Sequence, residues 1–317
     1  MATETSERSR QRLATLLQQQ AATDGFSDTL LPGVRYARAL RPYPLAPVLY
    51  EPSIVILATG RKRARLGQTV HELDPGHYWV VSVPLAFSCE TVATPDAPLY
   101  GLSVRVAPAV LGELLLEMDD ALDAASPGEA AGMCASPMTD ALADAAARLA
   151  ETLGSAAQAR ILGPGIVREI IYRVLAGEQG GVLRALAAQN GRLWPVARAL
   201  RRIHTDFRTE LDVETLAREA HMGLSTFHHA FRAVTATTPL QYLKTVRLHK
   251  ARALLAEPGA TAGKAASRVG YASASQFSRE YKRLFGATPS EEAARLRGAG
   301  TQPAVSSPVR EKTARYS

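Results

Sequence analysis

The sequence predicts an α+β chain with a β-rich front, a helical middle and an all-helical rear. Three observations carry this expectation. Between Phe26 and Val106, short runs of β-branched and aromatic residues are bounded by Pro and Gly; from Ala107, Ala, Leu, Glu and Arg recur at helical spacing; and a helix–turn–helix pattern occurs twice near the C-terminus. At 317 residues the chain can form two ordinary domains, each with a core that needs no disulfide or metal.

Taken in order, residues 1–24 form a polar segment without an apolar h-region, which points to a cytoplasmic protein rather than a secreted one. Residues 25–190 hold the strands and the helices that follow them. SIVILATG, HYWVVSVPLAF and PLYGLSVRV read as strands, and the basic run Arg61, Lys62, Arg63, Arg65 reads as a charged hairpin tip. VLGELLLEM, MTDALADAAARLAETL and GIVREIIYRVLAG read as helices that cover a sheet or pair with a second subunit, so a homodimer is expected. Residues 191–297 are helical throughout. Residues 298–317 have Pro, Gly, Ser and charge without periodicity and are predicted to be disordered.

Composition narrows the function. With 46% hydrophobic and 21% charged residues, and no apolar run long enough for a membrane span, the chain reads as globular with no membrane partner. Cys89 and Cys134, its only cysteines, are too far apart and too isolated for a zinc knuckle or a disulfide framework, so no metal or cofactor is expected. Charge is uneven. Residues 1–189 carry 16 Lys and Arg against 20 Asp and Glu, whereas residues 190–317 carry 21 against 10. A clustered positive charge of this kind suits a polyanion such as double-stranded DNA.

The duplication is the sharpest signal. Leu216–Pro239 matches Ala265–Pro289 at a shift of 49 residues before the turn and 50 after it, pairing Ala217 with Ala266, Phe227 with Phe277 and Phe231 with Tyr281. The small Ala lets the second helix of each unit cross the first closely, and the two aromatics four residues apart share one buried face. The opposite face is left free to enter a major groove. In the first unit that face holds Ser225, Thr226, His228 and His229; in the second it holds Ser275, Gln276 and Arg279. Arg279 can pair bidentately with guanine and Gln276 with adenine. The joining segment Pro239–Leu255 reads as a helix of about 25 Å, and Lys244, Arg247 and Lys250 on it are candidate phosphate contacts.

On LAREA, STFHHAF, TPLQYLKTVRLHKARALL, VGY, SQFSREYKRLFG and ATP, the stretch from Arg192 to Arg297 resembles the AraC/XylS class of bacterial transcription regulators. VLYEPSIVILATGRKRARLG, GHYWVVSVP, GIVREIIYRVL and LRALAAQ are similar to a subgroup with a cupin-like N-terminal domain. The resemblance implies an α+β fold: a cupin-like β-barrel with trailing helices, then an all-α domain of two helix-turn-helix units joined by a linker helix. It also implies effector sensing and dimerisation. The sequence departs from the family pattern at Gly223, where a Ser cap is usual, at Ala236, where a Gly is usual, and at His229, where an Arg is common.

The expected function is therefore a DNA-binding regulator responding to a small molecule, and not an enzyme. Tyr36, Tyr50, His77 and Trp79 are candidates to line an effector cavity, and Cys89 is a candidate redox sensor. The alternative is a cupin-type metal enzyme fused to a nucleic-acid-binding domain. His71, Glu72 and His77 would be its ligands, but the close His-x-His pair of such a site is missing.

Overall fold

The computed structural model describes residues 2–118, 132–187 and 193–298. The front half contains β1 (Gly25–Asp28), β2 (Val34–Ala39), β3 (Tyr43–Tyr50), β4 (Ser53–Thr59), β5 (Arg61–Leu66), β6 (Thr69–Leu73), β7 (His77–Val81), β8 (Leu85–Val92), β9 (Leu99–Arg105) and β10 (Met133–Pro137). They make two antiparallel sheets, β1-β2-β9-β4-β7-β10 and β3-β8-β5-β6. Among the described residues no ladder joins the sheets, so the expected barrel is two facing layers rather than a closed cylinder.

Their facing sides share one core, to which Val48, Ala64, Phe87 and Cys89 come from the smaller sheet and Val55, Leu57, Trp79 and Val81 from the larger. The outer side of the larger sheet is covered by helices, with Ile54, Ile56, Val80, Leu102 and Val104 packing against Leu13, Leu17, Leu149 and Ile171. Burial on both sides explains the unbroken apolar run of β4, a central strand. The covering helices include α1 (Ala2–Gln20), α3 (Asp140–Thr152) and α5 (Gly163–Leu175), accompanied by α2 (Pro108–Glu117), α4 (Ala156–Ile161) and α6 (Gly180–Ala187).

Three sequence expectations change here. The polar start is not separate, because α1 buries Leu13 and Leu17 completely against the larger sheet's helical cover. The basic run is a strand, not a hairpin tip: alternation turns Arg61, Arg63 and Arg65 outward and Lys62 inward. β10, which pairs with β7, lies in a stretch whose composition reads as helical. The expected disordered tail lies outside the described residues, except for Gly298.

The rear half comprises α7 (Leu193–Asp206), α8 (Val213–Glu219), α9 (Leu224–Thr235), α10 (Pro239–Leu255), α11 (Ala262–Arg268), α12 (Ala274–Phe285) and α13 (Pro289–Gly298). Asp212, Thr238, Thr261 and Ser273 cap α8, α10, α11 and α12 through their side-chain oxygens. The two units sit differently. Leu193, Leu200, Phe227, Phe231, Tyr242 and Val246 belong to the same buried cluster as the space between the sheets, whereas Leu248, Leu255, Ala266, Phe277 and Tyr281 form a core of their own.

Candidate nucleic-acid interface

Helices α9 and α12 present the same face in the same register. Ser225, Thr226 and His229 are exposed on α9, with His228 partly so, and Ser275, Gln276 and Arg279 are exposed on α12. Beneath them, Phe227 meets Phe231 with ring centroids 5.6 Å apart at 55°, and Phe277 meets Tyr281 at 5.6 Å and 54°. The buried aromatic pair thus fixes each helix about its own axis, leaving the opposite side to solvent.

The Arg279 guanidinium is exposed and makes no ion pair among the described residues. Gln276 donates its amide to Glu280 at 3.0 Å, which leaves its carbonyl free. Glu280 also accepts from Lys244 at 2.8 Å and from the Tyr271 hydroxyl at 2.7 Å. Burial works to raise the Glu280 pKa, but these hydrogen bonds outweigh it and hold the carboxyl below the usual range. Sequence reasoning passed over Arg232, Lys282 and Arg283, all exposed. Their positions three and four residues beyond His228, His229 and Arg279 could have identified them.

The linker cations have internal partners. Helix α10 is packed between the units, and its cations are turned to internal partners rather than left free for phosphates. Lys244 is held by Glu280, Arg247 donates to the Phe207 and Thr209 carbonyls at 2.7 and 2.8 Å, and the Lys250 ammonium lies 5.6 Å from the Phe207 ring centroid.

Of the effector candidates, Tyr50 and Trp79 lie between the sheets, and alternation along β7 puts His77 on the same side as Trp79. The Trp79 indole donates to the Glu72 carbonyl at 3.2 Å, and the His77 Nδ1 is buried without a partner. Tyr36 faces the other way. It packs among the covering helices, its hydroxyl donating to Gln20 at 2.6 Å, because β2 shows one face to each layer. Cys89 is buried between the sheets, and burial pushes its thiol pKa up, which disfavours the reactive thiolate. Burial likewise pushes the Cys134 thiol to about 12. Among the described residues no three of His, Cys, Asp or Glu converge as metal ligands, and no helix is long and apolar enough to cross a membrane.

The front half and the first unit are joined by a polar seam. The Tyr242 hydroxyl of α10 donates to the Pro84 carbonyl at 2.7 Å, so the His204 Nε2, 2.9 Å from that hydroxyl, is the donor to it. His204 Nδ1 has no hydrogen bond and lies 3.9 Å from Glu51. Burial, helped by the charge of Lys250, lowers the His204 pKa to about 3, and burial raises that of Glu51. Gly67 in the β5–β6 turn completes the approach. A Cβ there would stand 2.8 Å from the Ala236 side chain at the end of α9.

Comparison with known proteins agrees with this geometry. Residues 30–182 match the family model for the AraC-type transcriptional regulator N-terminus, and residues 216–295 match a helix-turn-helix domain model. The RCS-specific HTH-type transcriptional activator RclR of Escherichia coli is 32% identical over 130 residues, 41% of this chain and 40% of that protein. The HTH-type transcriptional regulator AlkR of Acinetobacter baylyi is 35% identical over 94 residues, 30% of this chain and 31% of that protein. The chain therefore spans well under half the length of these curated relatives, which are transcription regulators. In fold, ToxT from Vibrio cholerae, solved with an unsaturated fatty acid bound, aligns over 85% of this chain and 97% of its own with a TM-score of 0.61 at 10% identity. The two matched stretches follow one another as the sheets and the doubled unit do, and the chain belongs to the AraC class of transcription regulators.

Proposed function

We propose that the chain binds double-stranded DNA sequence-selectively through α9 and α12, and that a small-molecule effector held by its front half biases that binding. The observation that carries this reading is the pair of solvent-facing surfaces in identical register, each backed by a buried aromatic pair. Each helix offers its first turns to a major groove, Arg279 pairing with a guanine and Gln276 with an adenine, while Ser225, Thr226, His228, His229 and Ser275 supply less selective contacts. Arg232, Lys282 and Arg283 extend the positive face toward phosphates. Ligand binding by the similarly folded ToxT supports the effector half of the reading. The protein works in the cytoplasm as a homodimer; the exposed apolar side chains of Ile161, Leu162 and Tyr172, on α4, α5 and the residue between them, support the dimer.

Sequencing random DNA fragments captured by the purified chain tests this. The expected outcome is an enriched motif with two blocks about one helical turn, ~10 bp, apart. A captured pool no different from the input would reject the reading. In the same assay Arg279→Ala should lose about 1 to 3 kcal/mol and relax one base position. An unchanged motif at wild-type affinity would remove Arg279 from the interface.

A further inference from the structure

Two cations on inward-facing strand positions, Lys62 and Arg35, border the space between the sheets. On β5 the outward Arg61 pairs with Asp74, and Arg63 with Glu72 at 3.0 Å and Glu90 at 3.7 Å. The inward Lys62 is only 7% exposed, and its ammonium has the Thr91 hydroxyl at 3.1 Å and the Phe26 ring centroid at 5.5 Å. Arg35 shares the inner face of β2 with Ala37 and Ala39, and its guanidinium lies 4.6 Å from the same ring centroid. Neither cation has an ion pair within 4 Å among the described residues. Arg35 is partly buried, with Asp28 across from it on β1 and Glu51 as the carboxylates that act on its charge. Lys62 is buried, a cost that a hydroxyl and a ring face only partly compensate.

The neighbouring groups suit a ligand. The Tyr50 ring stacks edge-on to Phe26 at 5.4 Å, and its buried hydroxyl has the Cys89 thiol as its polar neighbour and no oxygen or nitrogen partner. Ala46, Cys89 and Ala64 lie side by side across β3, β8 and β5, a row of small side chains beside the Lys62–Thr91 pair. Phe26 comes from the four-residue edge strand β1, is only partly buried, and follows Gly25, whose φ is 91°. Its ring can leave without breaking a central ladder.

We propose that Arg35, Lys62 and Tyr50 form the anion-binding end of the effector site, that Phe26 fills the place of the ligand's apolar part in this structure, and that the ligand is a compact carboxylic acid with a ring or short alkyl body. This rests on the effector-responsive reading above. A carboxylate takes both cations and the phenol, whereas a phosphate would bring further oxygens against the apolar walls of Val48, Phe87 and Trp79. The site also adjoins the seam. Tyr50 pairs with Leu85, and the preceding residue, Pro84, is the acceptor that holds Tyr242 of α10.

Titration calorimetry on the full chain with benzoate and octanoate, against benzyl alcohol and octanol, tests the assignment. Both acids should bind saturably and the alcohols at least tenfold more weakly. Lys62→Met should keep or raise the melting temperature, since it removes the buried charge, and weaken the acids at least tenfold. Arg35→Met gives the same comparison should Lys62→Met fail to fold. Phe26→Ala should tighten binding. Absence of saturable acid binding, alcohols equal to acids, or wild-type affinity in the folded Met variant overturns the proposal. DNA capture on the same preparations separates the two readings: selective capture without acid binding removes only this site, whereas wild-type protein without selective capture removes the reading beneath it.

Discussion

The two helix-turn-helix units share one plan and differ in finish. In the second, Ser273 caps α12 by accepting from the Gln276 amide at 3.3 Å, Gly270 takes the positive φ of the turn at 83°, and Gly286 takes the left-handed position after α12 at 78°. In the first, Gly223 offers no cap, His221 holds the turn at φ 54° and Ala236 ends α9 at φ 56°. Left-handed backbone at a residue with a Cβ costs about 1 to 2 kcal/mol. The first unit recovers this cost outside itself, through a core continuous with the sheets and through Tyr242 on Pro84. The second stands on its own core. On the proposed function, an effector held by the front half would act on the first unit through a shared core, and on the second through α10 and the packing of α12 on β3.

The most forceful way to break this comparison is to hollow each unit at the equivalent aromatic. Phe227→Ala and Phe277→Ala should each cost about 3 to 5 kcal/mol. In calorimetry the first should lower the transition of the front half as well, and the second should melt its own unit while the front half stays near its wild-type temperature. Equal displacement of one common transition by both variants would show that the cores are not independent.

Acid should sharpen the same contrast. His204 at the seam and His249 on the inner side of α10 are both pushed down to about 3, chiefly by burial, and neither His249 nitrogen has a hydrogen-bond partner. Above a pH of about 6.5 both states keep them neutral and stability is flat; below it the unfolded chain binds protons that the fold refuses, at about 1.4 kcal/mol per pH unit for each histidine. Urea midpoints should therefore fall from pH 6.5 towards 3, and His249→Leu should flatten the slope. A slope unchanged by the substitution would place the titration elsewhere.

The smallest effect is also the most specific. Ala236→Gly should add about 1 kcal/mol, and Gly286→Ala should subtract a similar amount, by backbone conformation alone. Nothing lies within 4 Å of the Cβ that Gly286 would gain. Thermal melts that move the two variants in the same direction would contradict the difference in finish.

Local patterns made part of this legible in the sequence. The candidate faces were visible because aromatics four residues apart set the phase of each helix, and Gly223 and Ala236 stood out against the Ser and Gly usual at those places in the family it resembles. His221 escaped notice because the repeat shifts from 49 to 50 residues within the turn, which obscures its pairing with Gly270. Other features depend on layers that no local pattern encodes. Tyr36 turns to the helices because the larger sheet is covered on both sides, and Lys62 turns inward because its run is a strand. Lys244 and Arg247 find partners only once α10 is wedged between the units, and α1 becomes structural only where Leu13 and Leu17 meet other helices.

The shared interior of the first unit also bears on how such proteins can be rebuilt. A chimera joined near residue 190 would remove the Pro84 carbonyl from the Tyr242 hydroxyl and split the cluster that Phe231, Tyr242 and Val246 share with the sheets. Moving the front half onto another helical domain with its core intact requires α7 through the first half of α10 to travel with it, so the natural cut for an engineer falls inside a helix rather than in a loop.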